Sequence, residues 1–331
     1  MPRTILMGDP RYFSVRGGAN PHTRNLLGIR KTVDAQRARR QWHAMANTLI
    51  NHGVEVLIVE PHEHLPGLVY PANAGFLYPL DGVPAERKTF YLANLLPTRA
   101  AERDVYRTFI RSLGLAIDEF QVRFEGEADF IPTGDWLLFT HGQVERQRFV
   151  PRFGLPPWKR IYGFRSDAAA LAVLTRIAAG RGILSLELCL EAYYHGDTVL
   201  CSFGPKREFV LAYLKGLTAP SADDLRRTFG ANLIPLSDAD AALYTANSFQ
   251  VEHEGKLFLF MPQGVSESLC QQVGQRNVKP VLVDVSEFLA KGGGSIKCMI
   301  LDLGPSGELP SSPAATAFRA DRSYQNLFQK V

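Results

Sequence analysis

Five times along this chain a stretch with helical spacing gives way to two or three short strand-like runs. That rhythm fits a plain doubly wound sheet poorly, because such a sheet has nearer one strand per helix. The first helical stretch spans Ala35 to His52. Trp42, Met45, Ala46, Leu49 and Ile50 fall there at i, i+3, i+4, i+7 and i+8 on one apolar face, and Gly53 follows as a C-cap. The second holds Tyr106, Phe109, Ile110 and Leu113 and ends at Gly114. The third starts from a Ser166–Asp167 N-cap and runs to Gly180. In the fourth, Ser221 caps Asp224 to Phe229; the fifth lies around Ser266 to Gln275. VEVLIVE, GFLYPL, LAIDEFQVRF, WLLFTH, ILSLELCL, TVLCSF, EFVLAYL, NLIPL, FQVEH, LFLFM, PVLVDV and CMILDL read as strands between and after them. Five units of roughly 45–70 residues, each a helix with two or three strands, predict a mixed α/β fold in a cyclic or repeated arrangement.

The composition narrows the function classes. At 331 residues, 46% apolar and 21% charged, the chain is a globular protein with room for a sizeable core, as one large domain or two small ones. Lys plus Arg is 37 against 33 acids, so a net charge of +4 leaves no footprint for nucleic acid; Arg37, Arg39 and Arg40 read as helix surface. No apolar run reaches the roughly 18–20 residues of a membrane span, and MPRTILMGDP has too short an apolar core for a signal peptide. The expected location is the cytoplasm. Cys189, Cys201, Cys270 and Cys298 form no CxxC pair, and no His or Cys sits at zinc-finger spacing, so no structural metal site is expected. After Gly304 the pattern stops. Residues 1–304 read as one catalytic domain and 305–331 as a polar tail, whose SYQNLFQ segment docks on the body or on a partner. A homo-oligomer is compatible with this sequence but not readable from it.

Three distant segments carry the residues for nucleophilic chemistry. Cys298 follows Gly292, Gly293 and Gly294, a loop that delivers the thiol to the start of an apolar strand, and Lys291 and Lys297 would favour the thiolate. Read bare, the same segment equally describes a glycine turn before a buried thiol. His195 and Asp197, two apart in EAYYHGDTVL, share one face if the segment is extended. Glu125, Glu127 and Asp129 alternate in RFEGEADF and share a face unless a bulge intervenes; such crowding asks for a cation. Asn73, Arg165, Asn20 and Asn247 are further polar points beside turns. A cysteine, a histidine and a carboxylate fit covalent catalysis, and the extra acids suit a cationic substrate.

In order along the chain, ILMGDPRYFSV…ANPH, VYPANAGFLYP, FEGEADF, YGFRSD, YYHGDTVLCSFG, ANSFQV and FLAKGGGSIKCMILDL resemble the guanidine-modifying (pentein) superfamily: arginine deiminases, dimethylarginine hydrolases, arginine dihydrolases and amidinotransferases. The resemblance is strongest to the catalytic module of arginine dihydrolases. It implies a five-bladed αβ-propeller of ββαβ units with pseudo-fivefold symmetry around a polar channel. It also implies Cys298 as nucleophile, His195 as general acid/base and Glu125 as the partner of that histidine. Asp129 and Asp197 would then grip a guanidinium, with Asn73 where deiminases place another aspartate. Arg165, Asn20, Asn247 and Arg87 would hold the amino-acid end of the substrate. Glu127 stands where relatives have a small residue, adding charge to the channel, and Gly196 replaces a commoner leucine, loosening its loop.

The chemistry so implied is attack by the Cys298 thiolate on the guanidinium carbon and proton delivery by His195 to the departing amine. An amidino-thioether results, and no metal or organic cofactor is needed. Water attacking once makes a deiminase or dimethylarginine-type hydrolase. Water attacking twice makes a dihydrolase releasing an ornithine-type product and ammonia, which the neutral Asn73 favours; an attacking amine makes an amidinotransferase. A non-catalytic binder of arginine-like ligands is the alternative of another class. The partner expected is a small guanidino compound, with neither nucleic acid nor a membrane.

Overall fold

The computed structural model describes the chain except residues 1, 17, 26, 153, 154, 179, 313–318 and 320–331. The chain opens with β1 (Arg3–Gly8), α1 (Ala35–Asn51) and β2 (Glu55–Val59). It continues with β3 (Gly75–Tyr78), β4 (Thr89–Leu92), α2 (Glu102–Ser112) and β5 (Ala116–Glu119). The third stretch runs β6 (Phe130–Thr133), β7 (Trp136–His141), a hairpin of β8 (Arg148–Arg152) and β9 (Leu155–Ile161), α3 (Ala170–Ile177) and β10 (Gly182–Glu187). The fourth is β11 (Leu200–Phe203), β12 (Phe209–Ala212), α4 (Ala219–Phe229) and β13 (Leu233–Pro235). Then come α5 (Asp238–Ala242), β14 (Phe249–His253), β15 (Lys256–Pro262), α6 (Glu267–Gly274), β16 (Val278–Val283), α7 (Ser286–Gly292) and β17 (Leu301–Pro305).

These strands make five three-stranded sheets of one design. In β3-β4-β5, β6-β7-β10, β11-β12-β13 and β14-β15-β16 the first strand is antiparallel to the second, and a helix carries the chain to a third strand parallel to it. The remaining sheet has the same plan split between the two ends of the chain. β17 supplies the antiparallel first strand to β1, Ile5 facing Asp302, and β2 lies parallel on the other edge. Each unit is therefore ββαβ. As a central strand β1 is covered on both faces, which is why Ile5, Leu6 and Met7 are all apolar and fully buried. The helices cover the sheets with one face each; on α1, Trp42, Met45 and Leu49 are wholly buried, and the Asp34 side chain caps the N-terminus through Arg37 N–H.

The apolar cores lie between sheets. Leu6, Leu77, Phe90 and Leu303 join the first sheet to the second, and Phe76, Phe130 and Phe139 the second to the third. Leu138, Leu200, Val210 and Leu259 run on through the third, fourth and fifth. Ile5, Val56, Phe249 and Phe260 join the fifth to the first.

Several local expectations change. The helix expected from Ser166 begins at Ala170, because the Ser166 hydroxyl donates to Asp129 (2.6 Å) instead of capping. The fourth helix starts at Ala219, with Thr218 before it and a proline in its first turn; the Ser221 hydroxyl instead accepts the Glu187 amide. The LAIDEFQVRF strand shortens to Ala116–Glu119, and β1, β4, β6 and the β8–β9 hairpin had not been read as strands. The body also runs past Gly304: β17 reaches Pro305, and Glu308 in the next turn accepts from Lys88 Nζ at 2.8 Å. SYQNLFQ lies outside the described residues. Among the described residues no helix is long and apolar enough to cross a membrane.

The two chain ends are latched by charge as well as by pairing. Arg3 Nε lies 2.6 Å from Asp302 Oδ1, and its Nη1 lies 3.1 Å from Asp81. Burial alone would raise the Asp302 carboxyl, but Arg3 and then Arg207 hold it below its ordinary range. Arg3→Met would leave a buried carboxylate short of its cation. It is expected to lower the unfolding free energy by about 3 kcal/mol, read as a drop in urea midpoint at unchanged slope.

Candidate active site

Each sheet is entered through a tight turn, and the residues with chemical potential sit in those five turns. Asn73 ends the 3₁₀ turn Pro71–Asn73 before β3, and Glu125 and Asp129 flank the turn Gly126–Ala128 before β6. His195 precedes the turn Gly196–Thr198 before β11, and Asp197 lies within it. Asn247 lies in the turns before β14, and Cys298 in Lys297–Met299 before β17. The turns overrule the strand alternation assumed from sequence. The three acids of FEGEAD do not share a face. Glu125 and Asp129 serve His195 and its loop, whereas Glu127 turns to Lys297 Nζ (2.5 Å) and the Asp302 amide.

His195 Nε2 lies 2.9 Å from Glu125 Oε2 and 3.2 Å from Asn73 Nδ2. The other Glu125 oxygen accepts the Leu96 amide at 3.0 Å. Burial would raise the Glu125 carboxyl; the hydrogen bond and charge of His195, with Arg99 and Arg165, overcome it and bring it down to about 2. Asn73 is held from behind, since Arg99 Nη1 donates to its Oδ1 at 2.6 Å while Arg99 also clasps Glu102 and the Gly67 carbonyl. That donor fixes the carboxamide with its nitrogen toward the histidine. Asp129 accepts from Thr140 (2.7 Å), Ser166 (2.6 Å) and the Gly196 amide (2.8 Å). Its oxygens are thus committed to holding the His195 loop, rather than open to a guanidinium as the resemblance implied. The Gly196 loop is correspondingly tight, not loosened: a Cβ there would stand 2.1 Å from the Thr140 hydroxyl.

Cys298 is 3% exposed. Asn247 grips it twice, donating from Nδ2 to Sγ (3.1 Å) and accepting the Cys298 amide at Oδ1 (3.0 Å). Asn247 therefore belongs to the thiol and not to the far end of a substrate. The thiol lies 3.5 Å from Asp197 Oδ2. Burial, then the charge of Asp197, push the thiol well above its usual range, and burial pushes Asp197 up to about 6. Lys297, expected to favour the thiolate, does not offset this, because its ammonium is bound to Glu127 and the Ile300 carbonyl. Among the described residues Asp197 Oδ1 and His195 Nδ1 are buried with no hydrogen-bond partner.

Of these groups Cys298, His195, Glu125, Asn73 and Arg99 line a cavity of about 170 Å³ together with Arg165, whereas Asp129, Asp197 and Asn247 stand behind its wall. Arg165 stacks over the Tyr194 ring at 4.6 Å and donates to the Ala19 and Gly163 carbonyls. Asn20 donates to Gly292 O and Tyr194 OH, which pins the glycine loop. Those glycines are steric necessities, for a Cβ at Gly292 would meet the Tyr70 hydroxyl at 2.0 Å. Arg87 is exposed in the turn Ala85–Arg87 and does not line the cavity. Sequence reasoning missed Arg99, Tyr194, Thr140 and Ser166. The i, i+3 spacing of Arg99 and Glu102 signals an ion pair, but nothing local signals the reach to Asn73. Among the described residues no group of three or more His, Cys, Asp or Glu is placed to hold a metal.

By sequence and by fold the chain resembles the guanidine-modifying superfamily. Residues 190–304 match the family described as N,N dimethylarginine dimethylhydrolase, eukaryotic. The N(G),N(G)-dimethylarginine dimethylaminohydrolase of Mycobacterium tuberculosis is 28% identical over 306 residues, 92% of this chain and 87% of that one. The bifunctional arginine dihydrolase/ornithine cyclodeaminase AgrE of Nostoc is 28% identical over 301 residues, 90% of this chain but 37% of that larger protein. The N-terminal domain of ArgZ, an arginine dihydrolase from cyanobacteria, superposes with a TM-score of 0.74 at 23% identity, covering 92% of this chain and 98% of that domain.

The buried Asp197 generates a paired expectation. Asp197→Asn removes a charge that opposes the thiolate, so alkylation of Cys298 by iodoacetamide near neutral pH is expected to quicken by about tenfold, followed by intact mass. The folded carboxyl titrates near 6 against an ordinary 3.8. Its ionisation therefore penalises the fold fully above about pH 6 and not at all below about pH 4. The same variant is expected to be more stable by about 3 kcal/mol near neutral pH, with the gain gone at acid pH, measured by urea unfolding at both.

Proposed function

We propose that this chain is a cysteine-dependent hydrolase acting on the guanidinium group of arginine or an arginine derivative, through a covalent amidino-thioether on Cys298. The observation that carries the reading is the buried Cys298 thiol at one small cavity with His195, whose Nδ1 is unpaired among the described residues, backed at 3.5 Å by Asp197, which keeps one unpaired oxygen. A planar cation that donates N–H groups supplies what both the thiol and Asp197 lack. Its charge beside Asp197 lowers the cost of the thiolate, so the nucleophile is made when the substrate arrives. The thiol proton passes to His195 at Nδ1, its free nitrogen; sulfur bonds to the guanidinium carbon, the C–N bond breaks, and His195 gives that proton to the departing amine. The ionised Glu125 steadies the imidazolium on the other side. Water adds to the amidino carbon with His195 as base, and the sulfur leaves.

The core clusters, each shared between neighbouring sheets and running from the first sheet round to the fifth and back, support a closed five-bladed propeller as the frame. The four free thiols suit the reducing cytoplasm assigned from the sequence. Between one hydrolysis and two, Asn73 favours two. A neutral amide fixed by Arg99 next to His195 tolerates a ureido group that an aspartate would repel, so the first product stays for a second attack. The match of residues 190–304 to the dimethylarginine hydrolase family favours the single-step reading.

Mass analysis of products from arginine and a panel of N-substituted arginines tests the proposal, with turnover on at least one of them expected. Cys298→Ser is expected to lose at least about a thousandfold in rate with an unchanged melting curve, and His195→Ala about 10²–10⁴. Near-wild-type activity of Cys298→Ser would sink the covalent reading. Asn73→Asp is expected to shift single-turnover products from an ornithine-type compound and ammonia toward a citrulline-type compound. A wild-type enzyme that already releases only the citrulline type would overturn the two-step reading.

A further inference from the structure

A second cavity, of about 380 Å³, lies on the other side of the partition made by Cys298, Asp197 and the Lys297–Glu127 pair, and it shares no lining residue with the catalytic cavity. It is larger than the first, and a volume near the lower end of small-molecule sites suits a ligand of modest size. One side is apolar, built from Phe76, Phe130, Ile131, Leu137, Leu200 and Phe249. Its wall carries four cations, Arg181, Lys206, Arg207 and Lys297, and four acids, Asp81, Glu127, Asp197 and Asp302, and they are unevenly paired. Arg3, just behind it, is shared by Asp81 and Asp302, and Lys297 pairs with Glu127. Among the described residues Arg181 and Lys206 make no ion pair and Arg207 makes only a long one.

The backbone that carries Lys206 and Arg207 and the side chain of Arg181 meet at one turn. The Gly134 amide donates to the Lys206 and Arg207 carbonyls, both at 3.1 Å, and Arg181 Nη2 donates to the Gly134 carbonyl at 2.6 Å. Arg207 holds a left-handed backbone at φ 54°, a conformation that costs a non-glycine residue about 1 kcal/mol. Among the described residues its guanidinium makes an ion pair only with Asp302, at 3.9 Å, beyond hydrogen-bond distance, and that carboxylate is already bound by Arg3 Nε through both oxygens. An arginine so placed has its planar fork free, and the natural complement of that fork is a carboxylate.

We propose that this second cavity binds a small carboxylic acid with an aromatic or branched apolar body, its carboxylate on Arg207 with Arg181 and Lys206 beside it, and its body against Phe76, Phe130 and Leu137. The site is separate from the catalytic cavity and stands whether or not the guanidine chemistry proposed above is correct.

Benzoate is the probe and isothermal titration the measurement, with benzyl alcohol as the uncharged counterpart. Saturable benzoate binding is expected, at least about tenfold tighter than benzyl alcohol, as loss of a charged hydrogen-bond pair implies. Binding should persist in Cys298→Ala and in the presence of saturating arginine. Arg207→Asn, which keeps a residue tolerant of the left-handed backbone, is expected to weaken benzoate at least about tenfold while leaving any guanidine turnover unchanged. Absence of saturable binding, equal affinity for the alcohol, displacement by arginine, or unchanged affinity in Arg207→Asn would each overturn the proposal. Should Arg207→Asn fail to fold, Arg181→Ala and the comparison with the alcohol still decide it.

Discussion

The pairing of β17 with β1 is the constraint on which the rest of the structure depends. It joins residues from the two ends of the chain, Ile5 to Asp302, and completes a sheet that neither end builds alone. It also sets the turn Lys297–Met299, which leads into β17, among the turns that lead into the other four sheets. The placement of the Cys298 thiol and the ionic latch are thus consequences of one closure. Asp302, four residues after Cys298, is held by Arg3 on one side and gives its amide to Glu127 on the other, so the strand that carries the thiol is tied to both chain ends and to the FEGEAD turn.

The site is costly by design. Burial raises the Asp197 carboxyl beside the Cys298 thiol, which burial and that acid raise in turn, and among the described residues the acid keeps an oxygen with no partner. In a core chosen for stability alone such a group would be replaced by a neutral one. The surrounding polar groups show where rigidity compensates. Asp129, Glu125 and Asn73 each have their oxygens satisfied by protein donors, so the loops that present His195 are held while the atoms facing the cavity are left free. Held scaffold and unsatisfied centre together make the cavity complementary to a cation that arrives from outside.

The partition between the two cavities gives the odd glutamate of the FEGEAD turn a place. Glu127 does not crowd the guanidinium side; it neutralises Lys297, and burial with Asp302 nearby raises its carboxyl to about 7 despite that lysine. The pair closes the polar interior behind Cys298, so the cation beside the thiol in sequence acts away from it in space. This is why the neighbouring lysine does not lower the thiol.

The sequence by itself determined the rhythm of the fold and the identity of the chemistry. Helical spacing at Trp42, Met45 and Leu49, with strand runs between turn residues, follows from local periodicity, and so five helix-and-strand units were readable before any coordinates. Cys298, His195, Glu125 and Asp197 were readable as residue types in ordered motifs. What only the tertiary structure decided was direction. A turn of three residues at Gly126–Ala128 sends Glu125 and Glu127 to opposite partners, and no alternation rule reaches across such a turn. Asn247 bonds the thiol and Arg99 locks Asn73 over separations of 51 and 26 residues, while Arg87 stays at the surface. The protonation state of the thiol was likewise settled in space. It depends on burial and on which charges lie nearest, and sequence adjacency, which placed Lys297 next to Cys298, measures neither.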